Sequence, residues 1–512
     1  MSAQNSLSRA LRGARGSAPD RTALSFAGRD YDWRWMADRG RQLSEALCHA
    51  GVPDDAPIGL IPRNRPLSVA ALLELLIAGR SIVMIYAFQS GAAIARDIES
   101  LRLAAVVGDC QDWPEEARTA ARSVGCAAVR LDPDATDAAA VTLVPGAERC
   151  GPGPHRSPFA IAGIEMLTSG TTGTPKRIAM DFELIFRSMV GESTVLDDDE
   201  PDQEAAPGLL IYPFGNISGL YTFLPVAAAG RPTVMLEKFN LPDWLAYVKR
   251  YRPLRAGLPP AGIQMVLDAD VPPEDLASIE AIHSGAARLD PHVQARFEQL
   301  YGIPILLGYG ATEFGGPVTN MTLEDARAFG NVKRGSVGRA WAGSRLRVLD
   351  PDTLEELPAG TEGLLEVSTP RMGDHWIRTT DLGMIDEDGF VFHRGRADGA
   401  ISRGGFKILP EVVASALQSH PSIATVAVVG LPDRRLGQVP VAAIELRPGA
   451  DIPSPAELEA HARQSLYSTH IPARFLIVDA LPRTPSLKIS LPGVLALFAE
   501  QEDSRGGVAE KC

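Results

Sequence analysis

The sequence has few cysteines, no unbroken hydrophobic run of membrane-spanning length and no excess of positive charge. Its five cysteines among 512 residues are widely spaced and include no Cys-x-x-Cys pair, which argues against a disulfide framework and a zinc site. Residues 67–88 approach the length of a membrane span, but Glu74, Gly79 and Arg80 interrupt the run. We therefore predict a buried helix, a turn and a core strand there, and we expect a protein of the reducing cytoplasm with no membrane partner.

The charge balance excludes a further class of partner. Lys and Arg total 50 against 63 Asp and Glu, which gives a formal net charge of −13. The chain therefore lacks the basic surface with which proteins hold nucleic-acid backbones, and we expect no nucleic-acid partner. A chain of 512 residues is expected to form at least two domains, because a domain usually holds about 100 to 200 residues.

The pattern of apolar residues predicts an α/β protein. Short β-branched runs at 104–107, 232–236 and 305–307 alternate with helical stretches such as 290–301. This alternation is typical of sheets layered with helices.

A change in composition predicts a smaller second domain. Glycines and charges interrupt strand-like sequence at 393–405, and a compact stretch of about 100 residues follows, which is the size of a small domain. We predict helices over 410–418 and 455–466 and strands over 425–429 and 441–445. The boundary is placed between residues 396 and 397, which gives domains 1–396 and 397–512.

The clearest chemical signal is the segment LTSGTTGTPKR at 167–177. A loop of Ser, Thr and Gly after an apolar strand offers backbone N–H groups, hydroxyls and one lysine to phosphate oxygens. It is not a Walker loop, because its lysine follows a proline and no Ser or Thr comes next. The candidate phosphate-binding residues are Thr168, Ser169, Gly170, Thr171, Thr172, Gly173 and Lys176.

The full text of this loop resembles the signature of the acyl-adenylate-forming superfamily, which includes acyl-CoA synthetases, firefly luciferase and the adenylation domains of nonribosomal peptide synthetases. Further motifs of the superfamily follow in order. The segment LLGYGATEFG at 306–315 resembles one of them and implies that Tyr309 stacks on adenine, with Gly310 beside it in the nucleotide site. Thr312 would meet the phosphates, and Glu313 would help to bind Mg²⁺.

Two more segments resemble the nucleoside-binding motifs of the superfamily. HSGAARLDP at 283–291 implies that Gly285, Ala286 and Ala287 let the backbone approach the adenine ring. WIRTTDLG and the sequence that follows it, at 376–399, imply that Asp381 and Arg396 hold the ribose.

The C-terminal motifs imply a moving lid. Residues 395–410 resemble the hinge and glycine hairpin of the superfamily, with Asp398 at the pivot and Gly405 where the pantetheine arm passes. Residues 470–489 resemble its catalytic-lysine segment and place Lys488 in that role. The implied fold is α/β, with a large N-terminal domain of layered sheets and a small, mobile C-terminal α+β lid domain.

The activity implied by the resemblance is that of an acyl-CoA ligase. The acid attacks the α-phosphate of ATP, and the thiol of CoA then attacks the acyl-adenylate and releases AMP. The expected cofactors and partners are ATP or AMP, Mg²⁺, CoA and a small carboxylic acid or its acyl-adenylate. A stand-alone enzyme that loads a carrier-protein phosphopantetheine and a degenerate, non-catalytic nucleotide binder are the alternatives.

The catalytic-lysine segment departs from the superfamily at one residue. The usual Ser-Gly-Lys reads Ser486-Leu487-Lys488 here, and a leucine at φ > 0 costs roughly 1 to 2 kcal/mol. We therefore expect weak formation of acyl-AMP but efficient conversion of supplied acyl-AMP to the thioester, beside a separate adenylating enzyme. The alternative is that a small loop shift accommodates Leu487 and both steps run.

The acyl site is assigned to Asn216 and Gly219 in the segment YPFGNISGL. Amino-acid-activating members hold the α-ammonium with an Asp in this region, and residues 214–220 contain no acidic side chain. An acid without an α-amino group is therefore favoured, and fatty, aryl and polycyclic acids stay open. Asn216 stands where acyl-CoA synthetases often have His.

Overall fold

The structure, a computed structural model, describes residues 5–167, 177–191, 206–341, 343–373, 375–403, 406–433, 436–485 and 487–506. These residues form two compact units. The first unit consists of the described residues up to 253 together with 311–316, and the second consists of 254–310 and the described residues from 317 onward. The boundary predicted between residues 396 and 397 falls within the second unit and stays a prediction.

The first unit contains two sheets and eight α-helices among its described residues. Its strands are β1 (Thr22–Phe26), β2 (Arg29–Asp32), β3 (Ile58–Leu60), β4 (Ile82–Met84), β5 (Ala105–Asp109), β6 (Ala127–Leu131), β7 (Val141–Leu143), β8 (Gly163–Leu167), β9 (Arg177–Asp181), β10 (Gly208–Leu210) and β11 (Thr233–Met235). Its helices are α1 (Ser6–Ser17), α2 (Trp33–His49), α3 (Pro66–Ala78), α4 (Gly91–Leu101), α5 (Glu115–Val124), α6 (Phe182–Ile185), α7 (Ile217–Ala228) and α8 (Leu241–Tyr251). The spatial orders of the sheets are β7-β6-β5-β3-β4-β8-β9 and β10-β11-β1-β2.

The helix and strand predicted within 67–88 are confirmed as α3 and β4. Pro66 opens α3, where its missing N–H is not needed, and Gly79 closes it at φ +71°. Nearly every side chain of α3 is buried, as a helix that is apolar on all sides requires. The expected strands at 104–107, 232–236 and 305–307 and the helix at 290–301 are present with shifts of a residue or two.

Two ion pairs stabilise the carboxyl edge of the larger sheet. Strand β3 lies between β4 and β5 in the sheet. The connection after β3 leads to β4 on one side, and the connection after β5 leads away on the other side. The two loops therefore diverge and leave a crevice between them. Arg63 fills this crevice, with its Nε 3.0 and 3.1 Å from the two oxygens of the fully buried Asp112. Arg65 donates to Asp109 at 2.9 Å beside it. The crevice is therefore packed with paired charges.

The second unit contains a parallel sheet, a four-stranded antiparallel sheet, a five-stranded mixed sheet with one parallel strand pair, and six α-helices among its described residues. Its strands are β12 (Arg255–Gly257), β13 (Ala281–Ser284), β14 (Ile305–Leu307), β17 (Thr319–Asn320), β18 (Arg339–Ala340), β19 (Arg345–Leu349), β20 (Glu362–Ser368), β21 (Ile377–Ile385), β22 (Val391–Arg396), β23 (Ile401–Arg403), β24 (Phe406–Ile408), β25 (Ile423–Asp433), β26 (Gly437–Leu446) and β27 (Phe475–Val478). Two short strands, β15 (Gly310–Ala311) and β16 (Gly316–Pro317), flank a one-turn 3-10 helix at Thr312–Phe314, which belongs to the first unit. Its helices are α9 (Pro260–Asp268), α10 (Pro291–Tyr301), α11 (Leu323–Phe329), α12 (Pro410–Gln418), α13 (Pro455–Ala462) and α14 (Leu491–Gly506).

The C-terminal elements match the sequence expectation with two differences in length. Helix α12 has the predicted bounds, whereas β25 and β26 are longer than predicted because they pair with each other along almost their whole length. Helix α13 ends at Ala462 instead of Leu466, since the backbone turns there and the Ser465 N–H donates to the Ala462 carbonyl at 3.2 Å. These elements enclose their own apolar core, which includes Ile408, Val413 and Ile444.

The cysteine and hydropathy expectations can be checked within the described ranges. Cys48, Cys110, Cys126 and Cys150 are free thiols, and Cys512 lies outside those ranges. No helix there combines the length and apolar character that crossing a bilayer requires.

We expect Asp112→Ala to destabilise the first unit by about 3 kcal/mol, because the mutation leaves the largely buried Arg63 charge without its partner. A urea titration followed by tryptophan fluorescence measures the loss, since Trp113 is buried beside the pair. The control is Asp20→Ala, which removes an exposed partner of Arg34 and should leave the urea midpoint unchanged. Equal midpoints for the two variants would contradict a structural role for the buried pair.

Candidate active site

The segments assigned to adenine leave neighbouring parallel strands. Strand β13 ends at Ser284 and β14 ends at Leu307, and the two pair in parallel, so their carboxyl ends lie at one edge of the sheet. The Gly308 N–H donates to the Ser284 carbonyl at 3.2 Å. Ala286 adopts φ +66°, a left-handed conformation that costs an alanine roughly 1 to 2 kcal/mol. Residues 285–287 are therefore held beside the loop that carries Tyr309.

Three side chains of the second unit form a cluster at this edge. The Tyr309 hydroxyl donates to Oδ2 of Asp381 at 2.5 Å. His393 Nε2 lies 3.4 Å from Oδ1 of the same carboxylate, and the His393 ring stacks on Tyr309 with centroids 5.5 Å apart and planes 29° apart. Two side-chain groups thus contact the two oxygens of Asp381.

Hydrogen bonds to the backbone fix the two main members of this cluster. Thr319 Oγ1 accepts from the Tyr309 N–H at 3.0 Å. Thr379 Oγ1 accepts from the Asp381 N–H at 2.9 Å. These bonds fix the backbone from which the ring and the carboxylate extend.

Arg396 lies directly across the sheet from Asp381. The two residues are register partners in the antiparallel pair β21–β22, and the Arg396 guanidinium donates to Thr380 Oγ1 at 2.7 Å. The structure therefore brings together three of the predicted nucleotide-binding residues, Tyr309, Asp381 and Arg396.

The environment of Asp381 favours its ionised form. Burial alone would raise its pKa, but hydrogen bonds from His393 and Tyr309 and the nearby charges of His393 and Arg396 outweigh burial, and the pKa is lowered. An ionised carboxylate only accepts hydrogen bonds. Asp381 is therefore suited to bind hydroxyl groups of a ligand.

Glu411 is a second carboxyl near this cluster, and its pKa is shifted in the direction opposite to that of Asp381. It follows Pro410 at the start of α12, and its Oε2 lies 2.5 Å from where a Cβ on Gly395 would be. This oxygen is buried and has no hydrogen-bond partner among the described residues. Burial raises the pKa of Glu411, with the Asp381 charge adding to the rise and its own backbone N–H and the charges of Arg288 and His393 opposing it.

Thr312, predicted to meet the phosphates, and Glu313, predicted to help bind Mg²⁺, lie in the first unit on the 3-10 turn. The turn ends at Gly315, whose carbonyl accepts from the Tyr221 hydroxyl at 2.9 Å. Gly316 adopts φ +125°, and a Cβ there would lie 2.3 Å from the Tyr221 ring and hydroxyl. Only glycine permits this approach. Tyr221 of α7 thus packs on the turn that carries Glu313.

The predicted acyl segment lies at the start of the same helix. Asn216 precedes the first residue of α7 in extended conformation. Gly219 is buried in the first turn, against the backbone of Pro213 and Phe214. Asn216 and Gly219 are thereby placed on one element with Tyr221.

The catalytic-lysine segment forms a tight hairpin in the second unit. Arg483 and Ile489 bridge its ends, the Leu487 N–H donates to the Thr484 carbonyl at 2.8 Å, and the Thr484 N–H donates to the Lys488 carbonyl at 2.7 Å. Leu487 adopts φ +61°. The leucine therefore takes the left-handed conformation for which glycine is suited.

Of the other predicted site residues, one lies within the described ranges and the rest lie outside them. Asp398 lies in a one-turn 3-10 helix, Ala397–Gly399, directly after β22. Thr168, Ser169, Gly170, Thr171, Thr172, Gly173, Lys176 and Gly405 lie outside the described residues.

The predicted magnesium site depends on a single carboxylate, that of Glu313. Within the described part of the chain, no cluster of three or more His, Cys, Asp or Glu side chains could hold a metal. Mg²⁺ in nucleotide sites is usually held by one or two carboxylates together with substrate phosphates and waters. Glu313, half-buried on its turn, fits that mode.

Sequence motifs missed three residues that the structure places at these features. His393 joins the Tyr309–Asp381 cluster, Glu411 lies over Gly395, and Tyr221 packs on Gly315 and Gly316. A histidine three residues before Arg396 on the same strand was the available signal for the first. The other two depend on packing between distant segments.

Profiles of two families match the chain. The AMP-binding enzyme family matches residues 12–374, and the AMP-binding enzyme C-terminal domain matches residues 413–488. The 4-coumarate-CoA ligase 1 of Narcissus pseudonarcissus is 30% identical over 345 residues, which cover 63% of this chain and 62% of that protein. The long-chain-fatty-acid–CoA ligase of Bacillus subtilis is 28% identical over 353 residues, which cover 66% and 62%. The matched region spans about three fifths of the length of these curated relatives.

Solved structures share the fold. The ATP-bound structure of MatB from Rhodopseudomonas palustris has a TM-score of 0.76 at 23% identity and covers 95% of this chain and 97% of its own. The anthranilate CoA ligase AuaEII in complex with anthranoyl-AMP has a TM-score of 0.75 at 20% identity and covers 96% of each chain. Together with the family matches, these likenesses confirm the predicted fold class, a large N-terminal α/β domain followed by a smaller C-terminal domain of helices and strands.

The raised pKa of Glu411 predicts a pH-dependent effect of Glu411→Gln on stability. A carboxyl whose pKa is higher in the native than in the unfolded state binds more protons when folded, so it lowers stability as the pH rises through its native pKa. The glutamine variant cannot titrate at this position. The difference in melting temperature, variant minus unmodified protein, should therefore increase between pH 4.5 and pH 7.5. Differential scanning fluorimetry at several pH values measures the difference. Glu459→Gln, which removes an exposed i,i+4 partner of Arg463, should show no such trend. A flat profile for Glu411→Gln would contradict the raised pKa of this carboxyl, whose Oε2 is buried.

Proposed function

The chain belongs to the AMP-binding enzyme family, and from this premise we propose that it is an AMP-forming acid–thiol ligase that makes an acyl-CoA thioester through an acyl-adenylate. The observation that carries the proposal is the joint placement of Tyr309, Asp381 and Arg396 in one unit. An aromatic ring suits a purine, and an ionised carboxylate together with a guanidinium offers hydrogen-bond acceptors and donors to the ribose.

In this proposal the nucleoside of ATP lies at the edge formed by β13 and β14. Tyr309 stacks on adenine, and the backbone at 285–287 runs beside the ring. Asp381 accepts hydrogen bonds from the ribose hydroxyls, which is consistent with its lowered pKa, and Arg396 contacts the same sugar.

Adenylation is then a problem of positioning and charge neutralisation. The substrate carboxylate attacks the α-phosphate and pyrophosphate leaves. The loop at 168–173, Lys176, Thr312 and Lys488 contribute hydrogen bonds and positive charge at the phosphates. A Mg²⁺ ion held by Glu313 and the phosphates would neutralise further negative charge.

The second half-reaction transfers the acyl group to a thiol. The thiolate of CoA attacks the carbonyl carbon of acyl-AMP, a C–S bond forms, and AMP leaves with the electron pair of the C–O bond. We assign the rotation between the two steps to Asp398, because the turn Ala397–Gly399 directly follows the strand that carries Arg396. Gly405 would face the pantetheine arm after this rotation.

The proposed acyl substrate is a carboxylic acid without an α-amino group. The segment 214–220 that begins α7 carries no acidic side chain to hold an ammonium. The relatives named above are ligases of 4-coumarate and of long-chain fatty acids, and neither acid has an α-amino group.

The conformation of Leu487 supports a division between the half-reactions. A left-handed leucine costs roughly 1 to 2 kcal/mol and brings an isobutyl group next to Lys488. A displacement of about 1 Å at a positioning group can reduce a rate on the order of a hundredfold. We therefore expect adenylation to be slow, whereas thioester formation from supplied acyl-AMP does not need Lys488 in the site. A separate adenylating enzyme would then provide the acyl-AMP.

The nucleotide assignment predicts that Asp381→Ala weakens AMP binding by about 1.5 kcal/mol or more, the scale of a hydrogen bond to a charged group. Isothermal titration calorimetry with AMP measures the loss. The control is Asp388→Ala, which removes an exposed carboxylate paired with Lys333 and should bind AMP normally. Unchanged affinity in Asp381→Ala would remove the ribose assignment.

The division of half-reactions predicts that Leu487→Gly changes the result of one assay and leaves that of a second assay unchanged. Pyrophosphate exchange should be feeble in the unmodified protein and should rise at least tenfold in Leu487→Gly, as relief of about 1.4 kcal/mol implies. Thioester formation from synthetic acyl-AMP and CoA should be fast in both proteins. Strong exchange in the unmodified protein would refute the division.

The same assays test the alternative functions. Thioester formation with a carrier-protein phosphopantetheine but not with CoA would point to the stand-alone loading enzyme. No thioester with either thiol would point to a nucleotide binder.

A further inference from the structure

We infer that His393 is a positioning residue that makes the nucleotide site selective for a ribose with free 2′ and 3′ hydroxyls. The inference rests on the proposed function, because it assumes that Asp381 receives the ribose. His393 itself would not touch the nucleotide. It would act by fixing the Asp381 carboxylate and the Tyr309 ring.

The sheet register explains how His393 reaches Asp381. His393 on β22 is the partner of Gly383 on β21, and the register shifts between Leu382 and Gly383. Asp381 is therefore a diagonal neighbour of His393, a relation that long and ring side chains can span.

The contacts on Asp381 restrict the rotation of its carboxylate. The terminal torsion of an aspartate is intrinsically broad. Here Oδ2 accepts from the Tyr309 hydroxyl at 2.5 Å and Oδ1 lies 3.4 Å from His393 Nε2. Rotation of the carboxylate would lose one contact or both. The carboxylate has about four acceptor positions, so two are left for two ribose hydroxyls in a fixed orientation.

The stacking contact restricts Tyr309 in the same way. The His393 ring lies 5.5 Å from the Tyr309 ring at 29°, and it covers one face of the tyrosine. His393 thus restrains both the ring assigned to adenine and the carboxylate assigned to the ribose.

The test compares AMP with 2′,3′-dideoxy-AMP, which lacks both hydroxyls. The readout is the ratio of the two dissociation constants, measured by calorimetry in the full-length protein. His393→Phe keeps an aromatic ring on Tyr309 but removes the nitrogen near Asp381. We expect the preference for AMP to fall about tenfold, since a hydrogen bond to a charged group is lost, while binding of 2′,3′-dideoxy-AMP changes less than twofold. His393→Gln, which restores a donor, should recover part of the preference.

A matched control separates this role from the general loss of a histidine. His461 also contacts a hydroxyl, that of Ser419 at 2.7 Å, and a ring, that of His420 at a centroid distance of 5.0 Å. His461→Phe should leave the ratio unchanged. The inference is wrong if His393→Phe keeps the ratio of the unmodified protein while Asp381→Ala abolishes it, or if it weakens both ligands equally. Absence of AMP binding in the unmodified protein would instead overturn the proposed function.

Discussion

The hydrogen bond from the Tyr309 hydroxyl to Asp381 is the contact on which the candidate site depends. It joins a loop that leaves a parallel sheet to a strand of an antiparallel sheet 72 residues later in the chain. Asp381 is largely buried, and a buried carboxylate keeps its charge only where donors compensate for lost water. Hydrogen bonds from His393 and from the Tyr309 hydroxyl outweigh burial and lower the pKa of Asp381. In the proposed function, the Tyr309 ring also stacks on adenine.

Features fixed by local backbone chemistry could be predicted from the sequence. The bounds of α3 follow from Pro66 and Gly79, and the burial of α3 follows from its apolar composition. The left-handed conformation of Leu487 follows from a turn geometry that glycine usually satisfies. Tyr309, Asp381 and Arg396 could be assigned because each lies in a short motif whose text is specific.

Features that depend on register or on distant packing could not be predicted. His393 meets Asp381 only because of a one-residue shift between β21 and β22. Glu411 reads as an ordinary acidic residue in the first turn of a helix, where negative charge is favourable. Only the packing of α12 against Gly395 buries its Oε2 with no hydrogen-bond partner in the described part of the chain. Isolated residue types carry no signal for such contacts.

The contact between Tyr221 and the glycines at 315 and 316 has a consequence for how the enzyme would choose its acid. The ring fills the space beside Gly316 and its hydroxyl donates to the Gly315 carbonyl, so we expect a displacement of α7 to be transmitted to the turn that carries Glu313. In the proposed function, an acid that tilts α7 would then also displace Thr312 from the phosphates and Glu313 from the metal ion. Poor substrates would bind nearly as well as good ones but react more slowly, so that discrimination would appear in kcat and hardly in KM.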